Sequence, residues 1–515
     1  LFEQAYAPAP LTLPSHATLF TGLYPPEHGL PTLATELQAA GYETGAFVAA
    51  FVLDHKFGLQ RGFKTYNDDL SLADPGLDGH HQYRDGSLVI DAALRWLRPR
   101  SSKPFLCWVH LFDPHYPYLT HEDRFGTQFQ GRPYDAELAY VDEQLDRLIS
   151  TLRESGALEH TLIVVVGDHG ESLGEHGELT HSMTVYDATL RVPLLVVDPR
   201  ASRPDQRVAE PVSLVDLTPT VLDLLGRRPL PQASGRSLRP IMHGESLPTL
   251  PCYAESDEPY NAGHWSPLRA FITPQWKYIR SPRAELYDLL ADPHELQNLA
   301  TANPGQLDKL EGELTAWEAR MNQRLADNVA LTEQERRALN GLGYASYRAK
   351  DGGEDQTLRD VKDMLPYYYK LNDGAAMIDA GRYDIAEPVL REVLAADPDY
   401  FAAHGELGRC LMRQKKYSEA VQSLRRAMEL DPGAEGVQSM LGATLYLKGD
   451  YAAAVDALEL AIRLNPDLYQ NYFNLGMSLE KLGRPAEAIK HYEDCLERAP
   501  HAVQARQRLE ILQKR

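Results

Sequence analysis

The sequence has few cysteines: Cys107, Cys252, Cys410 and Cys495 stand far apart and form no CxxC or CxxxC pair. That spacing excludes a disulfide framework and a zinc–thiolate site, and the four read as small buried apolar residues. Long apolar runs are missing as well. No stretch reaches the roughly 18 uninterrupted apolar residues of a membrane-crossing helix, so no membrane span is expected in this chain. Positive charge is in deficit, with 52 Lys and Arg against 73 Asp and Glu and a formal net charge of −21. Nucleic acid is therefore excluded as a partner, because a phosphate backbone needs a basic stripe. The acidity is spread over solvated faces, since no run of six like charges occurs. No signal peptide is visible, and the chain opens on Leu1. A periplasmic, secreted or membrane-tethered location is expected if a segment ahead of Leu1 carries a signal, and a cytoplasmic one otherwise.

A chain of 515 residues exceeds one core and predicts two or three domains. Over 1–345 short apolar runs alternate with helical patterns, as in a layered α/β domain. The runs 105–112, 161–166 and 192–197 read as buried parallel strands, apolar on both faces. The segments 31–41, 135–156 and 215–226 read as helices on that sheet. From Cys252 the texture changes. Residues 269–273, 276–280 and 285–288 read as short antiparallel strands, and with a helix over 306–326 they make a small closing subdomain at about 252–330. Residues 346–365 are the expected linker, centred on the polar, Gly-containing stretch 349–357.

Residues 366–515 repeat. Gly374, Gly408, Gly442 and Gly476 are spaced by 34, as are Pro398, Pro432, Pro466 and Pro500. Tyr383, Tyr417 and Tyr451 keep the step, and so do Ala386, Ala420, Ala454 and Ala488. Small residues let paired helices approach closely, and Pro marks the turn into the next unit. This period resembles the tetratricopeptide repeat, which implies an all-α solenoid of four units with a capping helix over 501–515 and a groove for a protein or peptide partner.

Chemistry is expected at the C-terminal ends of strands in an open α/β sheet. One strand end reads Gly167-Asp168-His169-Gly170-Glu171 and another His110-Leu111-Phe112-Asp113-Pro114-His115. A carboxylate beside an imidazole suits a divalent metal. His115 is a candidate, and His110, inside the strand, reads as structural. Near the start, Thr12-Leu-Pro14-Ser15-His16 leads into a helix, which puts the Thr12 hydroxyl at a helix N-terminus favourable to anions.

These pieces together resemble the alkaline phosphatase superfamily, and most closely its sulfatase-like branch. The residues that carry the resemblance are TLPSHATLFTGLYPPEHG at 12–29, HLFDPHYPY at 110–118 and VVVGDHGESLGEHGELTH at 164–181. YDATLRVPLLV at 186–196, SLVDLTPTVLDLLG at 213–226, SPLRAFIT at 266–273 and WKYIRSPRAELYDL at 276–289 extend it. The order of domains is also similar to that of bacterial sulfatase-like proteins with tetratricopeptide repeats. The implied fold is an alkaline-phosphatase-like α/β sandwich with a small C-terminal antiparallel sheet, followed by the repeat solenoid.

The resemblance implies an ester hydrolase that uses a metal-bound nucleophile in line. Thr12 falls on the nucleophile position. Thr12, Asp168 and His169 are the implied metal ligands, and His115 is the residue that contacts the transferred group. His181 falls near the leaving oxygen, and His16 stands where sulfatases carry an arginine and assists the nucleophile. His28 and His176 receive no role, and Arg191 reads as a buried structural arginine. Zinc or manganese is favoured, with calcium or magnesium possible if aspartates join the set.

Three departures bear on function. A sulfatase nucleophile is made by oxidising Cys or Ser to an aldehyde, whereas Thr carries a methyl on its β-carbon and cannot give one. A threonine nucleophile resembles those of phosphodiesterases and phosphoryl-transferring relatives, so phosphate or phosphonate esters of a small molecule, glycan or lipid are the expected substrates. Secondly, the branch normally opens with a strand ending in one or two aspartates that complete the metal site. Here that strand is expected to be missing ahead of Leu1, leaving the site half present. Thirdly, His28-Gly29-Leu30 runs directly into Pro31, where relatives have a longer loop. Two other functions stay open: a sulfuric ester hydrolase, and a catalytically degenerate scaffold acting through its repeats.

Overall fold

The computed structural model describes residues 1–25, 31–70, 83–98, 103–200, 206–328 and 358–513. The chain divides into two compact units, one of residues 1–261 and 265–362, the other of residues 262–264 and 363–515.

In the first unit, strands β1 (Phe2–Tyr6), β2 (Glu43–Phe47), β3 (Thr65–Asn67), β4 (Phe105–Val109), β5 (Ile163–Val166), β6 (Arg191–Val197) and β7 (Val212–Ser213) form two sheets. One has the order β5-β6-β1-β7 and the other β3-β2-β4. β4 runs parallel to β2, as expected of an α/β layer. β6, expected to be parallel and buried on both faces, is antiparallel to β5 and to β1. Its side chains alternate: Val192 and Leu194 enter the core, whereas Leu195 and Val197 are 37% and 51% exposed. A short apolar run does not by itself distinguish a doubly buried strand from a one-sided one.

β1 has no counterpart in the sequence reading. It lies centrally between β6 and β7 and ends in Tyr6-Ala7, without a carboxylate, so it is not the aspartate-bearing strand the resemblance implies. β4 and β5 are each the end strand of their sheet among the described residues, and both are half-buried along their whole length.

The helix Thr12–Thr21 leaves extended backbone at Leu11 and ends at Gly22, whose φ of +68° makes it a left-handed C-cap. Ser15 donates to the Ala9 carbonyl at 2.8 Å and ties the preceding loop to this helix. Trp108 of β4 packs edge-on against Phe20 and faces His16 with ring centroids 5.3 Å apart.

The closing sheet holds four antiparallel strands, β8 (Cys252–Ser256), β9 (Leu268–Ile272), β10 (Trp276–Arg280) and β11 (Glu285–Asp288). The sequence reading recovers the last three and misses β8, buried throughout. The helix Pro304–Asn328 covers the sheet and is held by Arg280, which pairs with Glu311 and Glu318. Lys277 of β10, fully buried, pairs with Asp187 at 2.9 Å and Glu295 at 2.7 Å and fastens the sheet to the main body.

The second unit consists of helix pairs. Val361–Asp379 precedes Tyr383–Ala396, Phe401–Arg413 precedes Tyr417–Leu430, Glu435–Lys448 precedes Tyr451–Leu464, and Tyr469–Lys481 precedes Pro485–Arg498, with Val503–Gln513 last. The first helix begins inside the expected 346–365 linker, because the Asp360 carboxylate accepts the Lys362 N–H and caps it. The stretch 349–357 lies outside the described residues. The 34-residue glycines have a steric cause. A Cβ on Gly408 would sit 2.5 Å from Leu424 Cγ, one on Gly442 2.6 Å from Leu458 Cγ, and one on Gly476 2.6 Å from the Tyr492 ring.

Candidate active site

Three chain segments meet where the helix Thr12–Thr21 begins. Thr12 is its first residue and is half-buried. The hydroxyl lies 3.1 Å from His169 Nε2. His169 Nδ1–H donates to the Gly170 carbonyl at 2.8 Å, and with the proton on Nδ1 the ring offers its lone pair at Nε2. Thr12 is therefore the donor in its contact with His169.

His16, one turn on, donates from Nδ1 to the Thr12 carbonyl at 2.8 Å and lies 3.4 Å from Asp168 Oδ2. Burial holds its imidazole below the ordinary histidine range. His110 follows the last residue of β4 rather than standing inside it; its Nδ1 accepts the Ala49 N–H at 3.4 Å and its ring meets that of His16 at 5.0 Å. Burial, followed by the neighbouring His16, lowers it to about 3. One ligand-capable atom from each of His16, His110 and Asp168 lies within 4.8 Å of the others. For Asp168 burial acts to raise the carboxyl, and the imidazoles of His169, His16 and His110 outweigh it, holding the group below the carboxylate range. Asp168 Oδ2 is buried and has no hydrogen-bond partner.

A chain of rings continues outward from His169. Its ring is 4.3 Å from that of His181, and His181 is 5.0 Å from His115. His115 stacks on Phe112 at 4.0 Å and donates from Nδ1 to the Tyr116 carbonyl at 2.5 Å. His181 Nδ1 is 3.2 Å from Glu171, a residue the sequence reading passed over. Burial pushes the Glu171 carboxyl up to about 7. The structure thus brings Thr12, His16, His115, Asp168, His169 and His181 into one cluster and adds His110 and Glu171. The position of Glu171, two residues past His169 in the strand-end loop, was the one available sequence signal for it.

Other residues lie elsewhere. Arg191 is exposed rather than buried and donates to the Glu3 carbonyl. His176 stacks on Tyr186 at 3.7 Å. His28 and the connection through Leu30 lie outside the described residues.

A divalent cation fits this donor set. An orphaned, buried carboxylate oxygen is costly unless a cation or donor meets it, and Asp168 Oδ2 lies among imidazoles without a hydrogen-bond partner. The fold is of the alkaline-phosphatase-like α/β class, whose members generally use a divalent metal. Residues 1–227 match the family model described as Sulfatase, and 174–322 match the N-sulphoglucosamine sulphohydrolase C-terminal model. Tetratricopeptide repeat models match residues 376–435, 411–475 and 469–502. The chain carries a sulfatase-family domain followed by tetratricopeptide repeats, and the family is one of ester hydrolases.

Among curated relatives, a choline-sulfatase of Rhizobium meliloti (strain 1021) is 36% identical over 193 residues, 36% of this chain and 36% of that protein. Arylsulfatase K of Xenopus laevis is 26% identical over 403 residues, 61% of this chain and 75% of that protein. Among solved structures, the phosphonate monoester hydrolase of Agrobacterium radiobacter aligns with a TM-score of 0.51 at 20% identity, over 65% of this chain and 91% of that one. At that identity the likeness shows the fold alone. No helix among the described residues is long and apolar enough to cross a membrane.

Proposed function

We propose that the first unit is a metal-dependent hydrolase or transferase acting on phosphate or phosphonate esters through Thr12. The observation that carries this reading is the Thr12 hydroxyl, 3.1 Å from His169 Nε2 at the opening of a ten-residue helix. Asp168 and His169, with the Thr12 oxygen, would hold the metal, and His16 and His110 are within reach to complete it. When bound, the ion lowers the pKa of the Thr12 hydroxyl and offsets charge on the transferred group.

The chain's own residues do the rest. The helix N-terminus attracts the anionic ester. Thr12 Oγ1, its proton released to solvent, forms a bond to phosphorus as the ester P–O bond breaks. His181, oriented by Glu171, donates a proton to the departing alcohol, and His115 contacts the transferred group. Water, or a second alcohol, then takes the phosphoryl group from Thr12.

The expectation of one more aspartate-bearing strand belongs to the same reading. Among the described residues β4 and β5 are apolar end strands whose C-terminal ends converge on His16, and their residues are half-buried. A strand there would cover both edges and add oxygen ligands. The repeats are read as the binding face for a protein or peptide partner.

Sulfate-ester hydrolysis is the second reading, favoured by the choline-sulfatase and arylsulfatase K similarity. The deciding experiment assays the metal-loaded full chain on aryl phosphodiester, phosphonate, phosphomonoester and sulfate esters. Phosphorus esters are turned over fastest, Thr12→Ser retains activity and Thr12→Ala loses it. Faster sulfate turnover overturns the substrate class, and activity in Thr12→Ala overturns the nucleophile.

A further inference from the structure

A second group of ligand-capable side chains shares no residue with the Thr12 cluster. Asp113 stands in the loop after β4, His121 precedes the short helix Glu122–Phe125, and Glu137 lies in the first turns of the helix Pro133–Glu154. One ligand atom from each of the three lies within 4.8 Å of the others. His121 Nε2 is 3.8 Å from Glu137 Oε1, close to the roughly 3.3 Å between two ligands of a tetrahedral zinc with bonds of about 2.0 Å.

Several independent observations point to a cation site. Asp113 Oδ2 and His121 Nε2 are both buried without a hydrogen-bond partner. Asp113 is 8% exposed and Glu137 2% exposed. Glu137 accepts backbone N–H groups from Leu119 at 2.7 Å and His115 at 3.3 Å, and a carboxylate keeps further lone pairs after two such bonds. Space is kept beside the orphaned oxygen, since a Cβ on Gly86 would come within 3.0 Å of Asp113 Oδ2. His121 is held flat against Tyr140 with centroids 4.4 Å apart, and the Tyr140 hydroxyl donates to Asp85 at 2.7 Å.

We propose that Asp113, His121 and Glu137 bind a second divalent cation of the zinc class, which pins the 113–121 loop to the helix Pro133–Glu154. One nitrogen and two carboxylate donors match zinc, with water completing the set. His115 lies between Asp113 and Leu119 on the pinned loop, so the ion acts on His115 by positioning it opposite His181 rather than by touching substrate.

The test uses the full chain carrying Asp168→Asn, so that its outcome does not depend on the active-site reading. Zinc content after dialysis against micromolar zinc is measured by mass spectrometry, together with Tm. The Asp168→Asn protein is expected to retain one zinc and a zinc-dependent rise in Tm. Adding His121→Ala, or the isosteric Asp113→Asn, removes both. Asp113→Asn preserves packing and serves if His121→Ala fails to fold. Absence of zinc from the Asp168→Asn protein overturns the proposal, as does equal zinc uptake with and without Asp113→Asn.

Discussion

The hydroxyl of Thr12 donates to Nε2 of His169 across 3.1 Å, although 157 positions separate the two residues. The Gly170 carbonyl sets the tautomer that makes this direction possible. His169→Ala removes the hydrogen-bond partner of the Thr12 hydroxyl and, under the proposed function, a metal ligand. The expected loss in kcat on the best phosphorus ester is at least about 100-fold, beyond the roughly 10–100-fold that follows loss of a group supporting a metal ligand. Steady-state kinetics alongside unchanged circular dichroism check it; a loss below roughly tenfold detaches His169 from the chemistry.

Lys277 is fully buried between Asp187 and Glu295, and its ion pairs raise the ammonium against the lowering effect of burial. Lys277→Ala leaves two buried carboxylates without their cation. Breaking such a group costs about 3–5 kcal/mol. The urea unfolding transition of the first unit reports the change, and a cost under about 1 kcal/mol, typical of an exposed pair, contradicts it.

Gly408 faces Leu424 with no room for a methyl group, the added Cβ falling 2.5 Å from Leu424 Cγ. Gly408→Ala overpacks the crossing of Phe401–Arg413 with Tyr417–Leu430 and is expected to cost about 1–3 kcal/mol. Gly433, in a turn, meets only an Asp431 side-chain oxygen at 3.3 Å. Gly433→Ala is the control, and chemical denaturation that finds the two equal removes the packing explanation of the repeat glycine.

Burial raises the Asp216 carboxyl from 3.8 to about 6, and N–H groups of Arg236 and Ser213 oppose the rise. Between those pH values the native state holds a proton that the unfolded chain has released. Stability from this group therefore falls as pH rises from about 4 to about 6 and is level above. Asp216→Asn cannot titrate, so its stability relative to the parent improves across the same window. At 1.36 kcal/mol per pKa unit the relative gain is about 3 kcal/mol. Denaturation midpoints at pH 4 and pH 7 measure it, and a constant difference between parent and variant refutes the assignment.

The repeat unit was readable in the primary structure because its signals are local. Gly408 and Gly442 recur where two neighbouring helices touch, and Pro432 and Pro466 recur at the turn between units, so one period runs through the chain. The motifs around Thr12, Asp168 and His115 were readable for a related reason. Each sits at the end of one strand or the start of one helix, a position that residue order defines.

Tertiary structure alone decided the remainder. The direction of β6 depends on its neighbours β1 and β5, which its apolar run Val192–Val197 does not name. β8 and the buried Lys277–Asp187–Glu295 group follow from how the closing sheet meets the main body. His110 looks structural in the chain and becomes a neighbour of His16 and Asp168 because β4 ends beside the helix that carries His16. Asp113, His121 and Glu137 converge only when a loop folds back on a helix more than a dozen residues away. Periodicity and capping act over a few residues, so the sequence determines them directly. The partner of a strand edge or a buried polar atom is chosen by packing across the whole domain.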